Sequence, residues 1–132
     1  MKKLKEVCLV EDDKVQIFLL QKFLEKCDQV ETVHSYENGK AAYLEMKERL
    51  ENGTPFPDLI FLDINMPIWD GWEFYEAFLG LKGHEKVTLY ILTSSLSEDD
   101  FQKARSFGLE ERYLQKPLAY PKLEEIINSL HR

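Results

Sequence analysis

The stretch Phe61-Leu62-Asp63-Ile64-Asn65-Met66-Pro67, FLDINMP, decides how this chain is read. Leu59 to Leu62 is a short continuous apolar run, a carboxylate follows it, and the chain turns at once through Asn65, Met66 and Pro67. Runs of this kind suit parallel strands covered on both faces. A charge at the rim of such a buried strand is costly unless another group answers it. Asp63 therefore directs attention to the carboxyl edge of a sheet.

Two further runs have the same form. Val7 to Val10 precedes Glu11-Asp12-Asp13, and Val87 to Leu92 precedes Thr93-Ser94-Ser95. Gln29 to His34 and Arg112 to Gln115 are weaker strand candidates, the second followed by Lys116-Pro117. Helical patterns lie between them. Asp13 is placed to cap a helix from Lys14 to about Lys26, with Leu20, Phe23, Leu24 and Cys27 on one face. Asn38 is placed to cap a second, with Ala42, Tyr43, Met46 and Leu50 inward and Asn52-Gly53 as its stop, ahead of the Thr54-Pro55-Phe56-Pro57 loop. A third, rich in aromatics, is expected from Gly71 to Leu81. The fourth opens on Ser97-Glu98-Asp99-Asp100, a capping box with Asp in place of Glu, and ends near Gly108. In the last, Pro121 lies near the start, and Leu123, Ile126, Ile127 and Leu130 recur at helical spacing. Strand and helix alternate five times. This predicts an α/β fold, a doubly wound five-stranded parallel sheet with helices on both faces.

The 132 residues suit one domain spanning 1–132, with no output domain after the last helix. Hydrophobic residues are 44% and charged residues 31% of the chain, the balance of a soluble globular protein. No apolar run approaches the ~20 residues that cross a bilayer, and the VCLV run after the basic start is too short for a signal peptide. The expectation is a cytoplasmic protein with no membrane partner. Acids outnumber bases 24 to 17, a formal charge of -7, which argues against a nucleic-acid binder. Lys2, Lys3 and Lys5 read as a solvated terminus. Cys8 and Cys27 lack metal-site spacing, and His34, His84 and His131 are scattered, so both cysteines read as buried thiols.

In open α/β sheets, ligands bind beyond the carboxyl ends of the strands. If strands one, three, four and five are neighbours, Glu11, Asp12, Asp63, Thr93 and Lys116 converge there. Converging carboxylates repel, and burial opposes their ionisation. A magnesium ion removes the conflict, since it takes one or two carboxylates, keeps several waters and bridges to phosphate oxygens. Asp12 and Asp63 are the expected direct ligands, with Glu11 acting through water and the Asn65 backbone carbonyl supplying a further oxygen. Lys116 and Thr93 then offer an ammonium and a hydroxyl to a phosphoryl group. Asp63 is the expected nucleophile, because a carboxylate accepts a phosphoryl group as an acyl phosphate.

The motifs LVEDD (Leu9 to Asp13), LDINMP (Leu62 to Pro67) with Asp70-Gly71, LTSS (Leu92 to Ser95) and YLQKP (Tyr113 to Pro117) together resemble the response-regulator receiver domain of two-component signalling. The likeness covers nearly the whole chain and is to the stand-alone, chemotaxis-regulator-like members. It implies the flavodoxin-like (βα)5 fold, Asp63 as phosphoacceptor, Glu11 and Asp12 as the acidic pair, and Mg2+ as cofactor. It also implies Thr93 as the switch hydroxyl, Tyr113 as the aromatic that turns inward with it, Lys116 as the lysine of the site, and a cis Lys116-Pro117 bond. Implied partners are a sensor histidine kinase or histidine phosphotransfer protein and a downstream protein the sequence does not name. Binding runs through the face of the fourth helix, fifth strand and fifth helix, which also suits a homodimer. Such a domain is a phosphoacceptor signalling module with only self-catalysed phosphoryl transfer and dephosphorylation, not an enzyme. Ser94 stands where a small residue leaves the site open, and the stretch Lys47 to Pro57 is longer than in the shortest receivers.

Each residue has a plainer reading alone. Glu11-Asp12-Asp13 can cap a helix, Thr93 suits any strand, Lys116 any surface, and Tyr113 any core. An aspartyl-nucleophile phosphohydrolase, like the haloacid-dehalogenase enzymes, needs a second acid two residues after the nucleophile, and Asn65 stands there. A receiver-fold scaffold indifferent to phosphate has no use for the full set of Glu11, Asp12, Asp63, Thr93 and Lys116.

Overall fold

The computed structural model of the protein describes residues 3–130; Lys2 and His131 lie outside the described residues. Five strands alternate with five helices: β1 (Leu4–Val10), α1 (Lys14–Cys27), β2 (Val30–Tyr36), α2 (Gly39–Asn52), β3 (Leu59–Leu62), α3 (Gly71–Phe78), β4 (Thr88–Thr93), α4 (Glu98–Ser106), β5 (Tyr113–Gln115) and α5 (Tyr120–Leu130). The sheet is parallel throughout, in the order β2-β1-β3-β4-β5. Strands one, three, four and five are thus neighbours, which is the condition for the polar strand ends to converge.

The strands are apolar on both faces because both faces are covered. Cys8, Val10, Ile60, Leu62, Leu89 and Ile91 point to one side, where they meet Ala42 and Met46 of α2, Phe74 and Phe78 of α3 and Ala104 of α4. Val7, Leu9, Leu59, Phe61 and Leu92 point to the other, against Leu20 and Leu24 of α1 and Leu123, Ile126 and Ile127 of α5. Cys8 and Cys27 are buried free thiols, and burial raises the pKa of each. None of the helices among the described residues is long and apolar enough to cross a membrane.

Caps set the helix starts as expected for α1 and α2. The Asp13 side chain accepts from the Val15 and Gln16 N–H groups, and Asn38 from that of Ala41. Gly53 ends α2 at φ 74. Two readings are corrected at α3 and α4. Helix α3 stops at Phe78 rather than Leu81, and its start carries a full capping box between Asp70 and Glu73. At α4 the Ser97 hydroxyl accepts from the Asp100 N–H, but the Asp100 carboxylate turns away to Ser95 and Trp72, so the expected box is only half built.

A third correction concerns α2. Leu50 is exposed, and Arg49 takes the inward position beyond Ala42 and Met46. A helix turns about 100° per residue, so residue 49 falls about 20° beyond residue 42 and residue 50 about 40° beyond residue 46 on the other side, and spacing alone does not choose between them. Arg49 grips Glu6 of β1 with two nitrogens at 2.6 and 2.7 Å and holds Glu45 at 2.8 Å. Strand boundaries also move: β1 begins three residues early at Leu4, β2 runs on to Tyr36, and β4 is Thr88–Thr93. The early start of β1 is tied by Asp58, whose carboxylate accepts the Lys5 and Glu6 N–H groups at 2.7 and 3.3 Å.

Candidate phosphoacceptor site

Glu11, Asp12 and Asp63 meet just past the ends of β1 and β3. Each offers a carboxylate oxygen, and these lie within 4.8 Å of one another. The register explains the meeting: Val10 pairs with Leu62, and the Asp63 N–H donates to the Val10 carbonyl at 2.9 Å. Glu11 and Asp63 are buried, and Asp12 is exposed at the mouth.

Lys116 closes the cluster from β5. Its Nζ lies 2.7 Å from Glu11 Oε1 and 3.4 Å from Asp63 Oδ2. Its backbone is pinned to the sheet by donation from its N–H to the Thr93 carbonyl at 2.9 Å, and the Lys116-Pro117 bond is cis as expected. Burial alone draws the Lys116 pKa down, but the pairing with Glu11 and Asp63 outweighs it and the net shift is upward. Burial and the neighbouring Asp63 push the Glu11 carboxyl up to about 7, against the pull of Lys116. With all three acids ionised, three carboxylates and one ammonium leave two negative charges uncancelled. Hard oxygen donors with that excess fit a divalent cation of the magnesium type.

The two Asp63 oxygens have different surroundings. Oδ1 accepts the Asn65 N–H at 3.1 Å, which fixes the carboxylate plane, while Oδ2 faces Lys116. The turn that carries Asp63 is set by a close crossing. A Cβ on Gly71 would lie 2.5 Å from the Asp63 carbonyl oxygen and 2.6 Å from Ile64 Cα, so only glycine lets α3 start there. Within the same loop Ile68 and Trp69 adopt φ of 50° and 66°. The Gly39 N–H at the start of α2 donates to the Trp69 carbonyl at 3.1 Å and helps to hold that loop.

Thr93 is fully buried at the end of β4. Its Oγ1 accepts the Ser95 N–H at 3.0 Å and faces the Asn65 side-chain amide at 3.5 Å, which links it to the Asp63 loop. Tyr113 stands apart from the acids. Its ring meets Phe101 of α4 edge-on at 5.5 Å, and its hydroxyl is buried with no hydrogen-bond partner among the described residues. Glu11, Asp12 and Asp63 therefore meet at one edge of the sheet, with Lys116 against Glu11 and Asp63. Asn65 contributes its N–H to Asp63 and its amide toward Thr93. The Ser95–Asp100–Trp72 chain of hydrogen bonds went unseen in the sequence, where Asp100 reads as a cap; the pairing of Trp72 with Asp100 has no local signal.

Comparison with known proteins agrees with the geometry. The family model described as Response regulator receiver domain matches residues 7–128, and the chain belongs to that family. Its members are signalling domains that work with histidine kinases in two-component systems. The chain is 29% identical over 126 residues to the chemotaxis protein CheY of Halobacterium salinarum, covering 96% of both chains. A two-component response regulator from Cytophaga hutchinsonii superposes with a TM-score of 0.84 at 30% identity, covering 98% of each chain. The response regulator Rcp1 of Synechocystis sp. is 33% identical over 98 residues, 73% of this chain and 66% of that protein. A structure of the Mn(2+)-bound form of response regulator Rcp1 aligns with a TM-score of 0.75 at 27% identity, covering 96% of this chain and 91% of that one. The chain is thus a CheY-like receiver with the expected fold.

Proposed function

We propose that the protein is a single-receiver response regulator that accepts a phosphoryl group on Asp63 from a histidine kinase or histidine phosphotransfer protein. The observation that carries this reading is the contact set of Lys116, which touches both Glu11 and Asp63 where three carboxylates crowd one sheet edge. An Asp63 oxygen attacks phosphorus, the phosphorus–nitrogen bond to the donor imidazole breaks, and an acyl phosphate forms. Lys116 supplies positive charge beside the incoming oxygens, and the Asn65 N–H holds the carboxylate in place. Glu11, Asp12, Asp63 and the Asn65 carbonyl are the groups to hold Mg2+. When bound, the cation offsets the carboxylate charge and that of the phosphoryl oxygens. The Mn(2+)-bound form of Rcp1 supports a divalent ion in a relative of this fold.

Thr93 faces the Asn65 amide of the Asp63 loop and Tyr113 packs against Phe101 of α4, which supports the reading of both as switch residues. The phosphorylated state then biases the face of α4, β5 and α5 toward a downstream protein, or toward a second copy of the chain.

The test is to add beryllofluoride with Mg2+ and follow Trp69 and Trp72 fluorescence. A saturable response that vanishes in Asp63→Asn is expected. An absent response, or one that survives in Asp63→Asn, overturns the reading.

A further inference from the structure

Ser95 sits at a junction. Its N–H donates to Thr93 Oγ1 at 3.0 Å, its hydroxyl donates to Asp100 Oδ2 at 2.7 Å, and its carbonyl accepts the Gln115 side chain at 2.8 Å. Asp100 is in the first turn of α4, where its carboxylate would ordinarily bond back to the helix start. It gives up that local bond and instead takes the Trp72 indole N–H of α3 at 3.1 Å through its other oxygen. One carboxylate thus ties the residue two places beyond Thr93 to a buried tryptophan on another helix.

The Trp72 end is anchored in its turn. Its ring stacks on Phe107 at 6.0 Å, and the Lys103 ammonium lies 5.8 Å over it while pairing with Glu76 at 3.4 Å. The Tyr113 hydroxyl is buried near the Ser95–Asp100 pair with no hydrogen-bond partner among the described residues, and burial followed by the Asp100 charge raises its pKa. A shift of the Thr93 hydroxyl either breaks the Ser95 N–H bond to Thr93 Oγ1 or carries Ser95 with it and pulls on the short charge-assisted bond to Asp100.

We propose that Asp100 is a positioning residue that couples the Thr93 hydroxyl, through Ser95, to Trp72, so that the α3–α4 face responds together with the phosphoacceptor site. This rests on the reading of Asp63 as phosphoacceptor. When Thr93 moves toward the phosphoryl group, Ser95 leaves Asp100, the Tyr113 hydroxyl becomes the donor available to that carboxylate, and the Trp72 indole loses its fixed acceptor.

The experiment uses the full chain carrying Trp69→Phe, in which Trp72 is the single indole. Fluorine NMR reports the beryllofluoride adduct in Mg2+, and Trp72 emission reports the coupling. Parent, Ser95→Ala and Asp100→Ala are all expected to form the adduct. Ser95→Ala keeps the Trp72–Asp100 bond, so its resting emission matches the parent, but its response to beryllofluoride falls about five-fold or more. Asp100→Ala alters the resting emission and also loses the response. A full Trp72 response in Ser95→Ala with the adduct present overturns the proposal. So does a silent Trp72 in the parent with the adduct present, and so does loss of the adduct in Ser95→Ala. Failure of the parent itself to form the adduct removes the phosphoacceptor reading, and the coupling with it.

Discussion

At Glu11, burial and the neighbouring Asp63 hold the carboxyl at about 7 in the folded protein, above the ordinary 4.5. The folded state therefore binds more protons than the unfolded state between those values, and stability falls as pH rises through that window, the reverse of the usual carboxylate. Denaturant titrations from pH 5 to 8 should show this slope in the unmodified chain and a flatter profile in Glu11→Gln; equal slopes would contradict it. Mg2+ should stabilise the protein more at pH 8 than at pH 5, because the cation needs the ionised acid. Glu6 has the ordinary sign. Burial opposes its ionisation, but Arg49 and His34 outweigh this and lower its pKa, so its contribution is present above its unfolded value and lost on acidification. At this scale Asp63 was legible because a charge ended an apolar run, and Lys116 because its position repeats a known pattern. Asp100 was not, since its partners Trp72 and Ser95 are chosen by the packing of α3 against α4, and its neighbour Ser97 offers a sufficient local role.

Among the elements, α2 and the end of α3 depart from expectation. The inward side of α2 was read by hydrophobicity, which favours Leu50; helical spacing allows either residue, and the long amphipathic Arg49 turns inward because Glu6 meets it. Glu45 four residues before Arg49 is a visible signal, but Glu6 is 43 residues away and is not. Arg49→Met should cost about 2–4 kcal/mol, because it leaves the Glu6 carboxylate mostly buried and short of its main partner. Chemical denaturation measures this, and Glu6→Gln in the same background should recover part of the loss. A change below about 0.5 kcal/mol would show the ion pair to be a surface contact. At α3, Gly71→Ala pushes a methyl group into the Asp63–Ile64 backbone. It should destabilise the chain by about 1–3 kcal/mol and also weaken beryllofluoride binding, by displacing Asp63. Wild-type affinity in Gly71→Ala would mean that the loop gives way without moving the carboxylate.

For the molecule as a whole, alternation was enough to read the architecture. Three apolar runs each followed by polar groups, with helical spacing between them, place the strand ends at one edge once crossovers are right-handed. The short β5 was harder, because Tyr113–Gln115 is only three residues long and is half exposed; its order in the sheet, beside β4, is what brings Lys116 to the acids. Strand and helix ends moved by one to three residues where tertiary partners, such as Asp58 for β1, supplied bonds that local sequence does not reveal. The central claim is that this assembled edge takes a phosphoryl group at one oxygen-bearing residue. The direct measurement is to treat the full chain with a small acyl phosphate and Mg2+, reduce any aspartyl phosphate with borohydride, and locate the product by peptide mass spectrometry. The account predicts reduction of Asp63 to homoserine, dependent on both phosphodonor and Mg2+. Labelling at Glu11 or Asp12 instead, or no labelling at all, would contradict it.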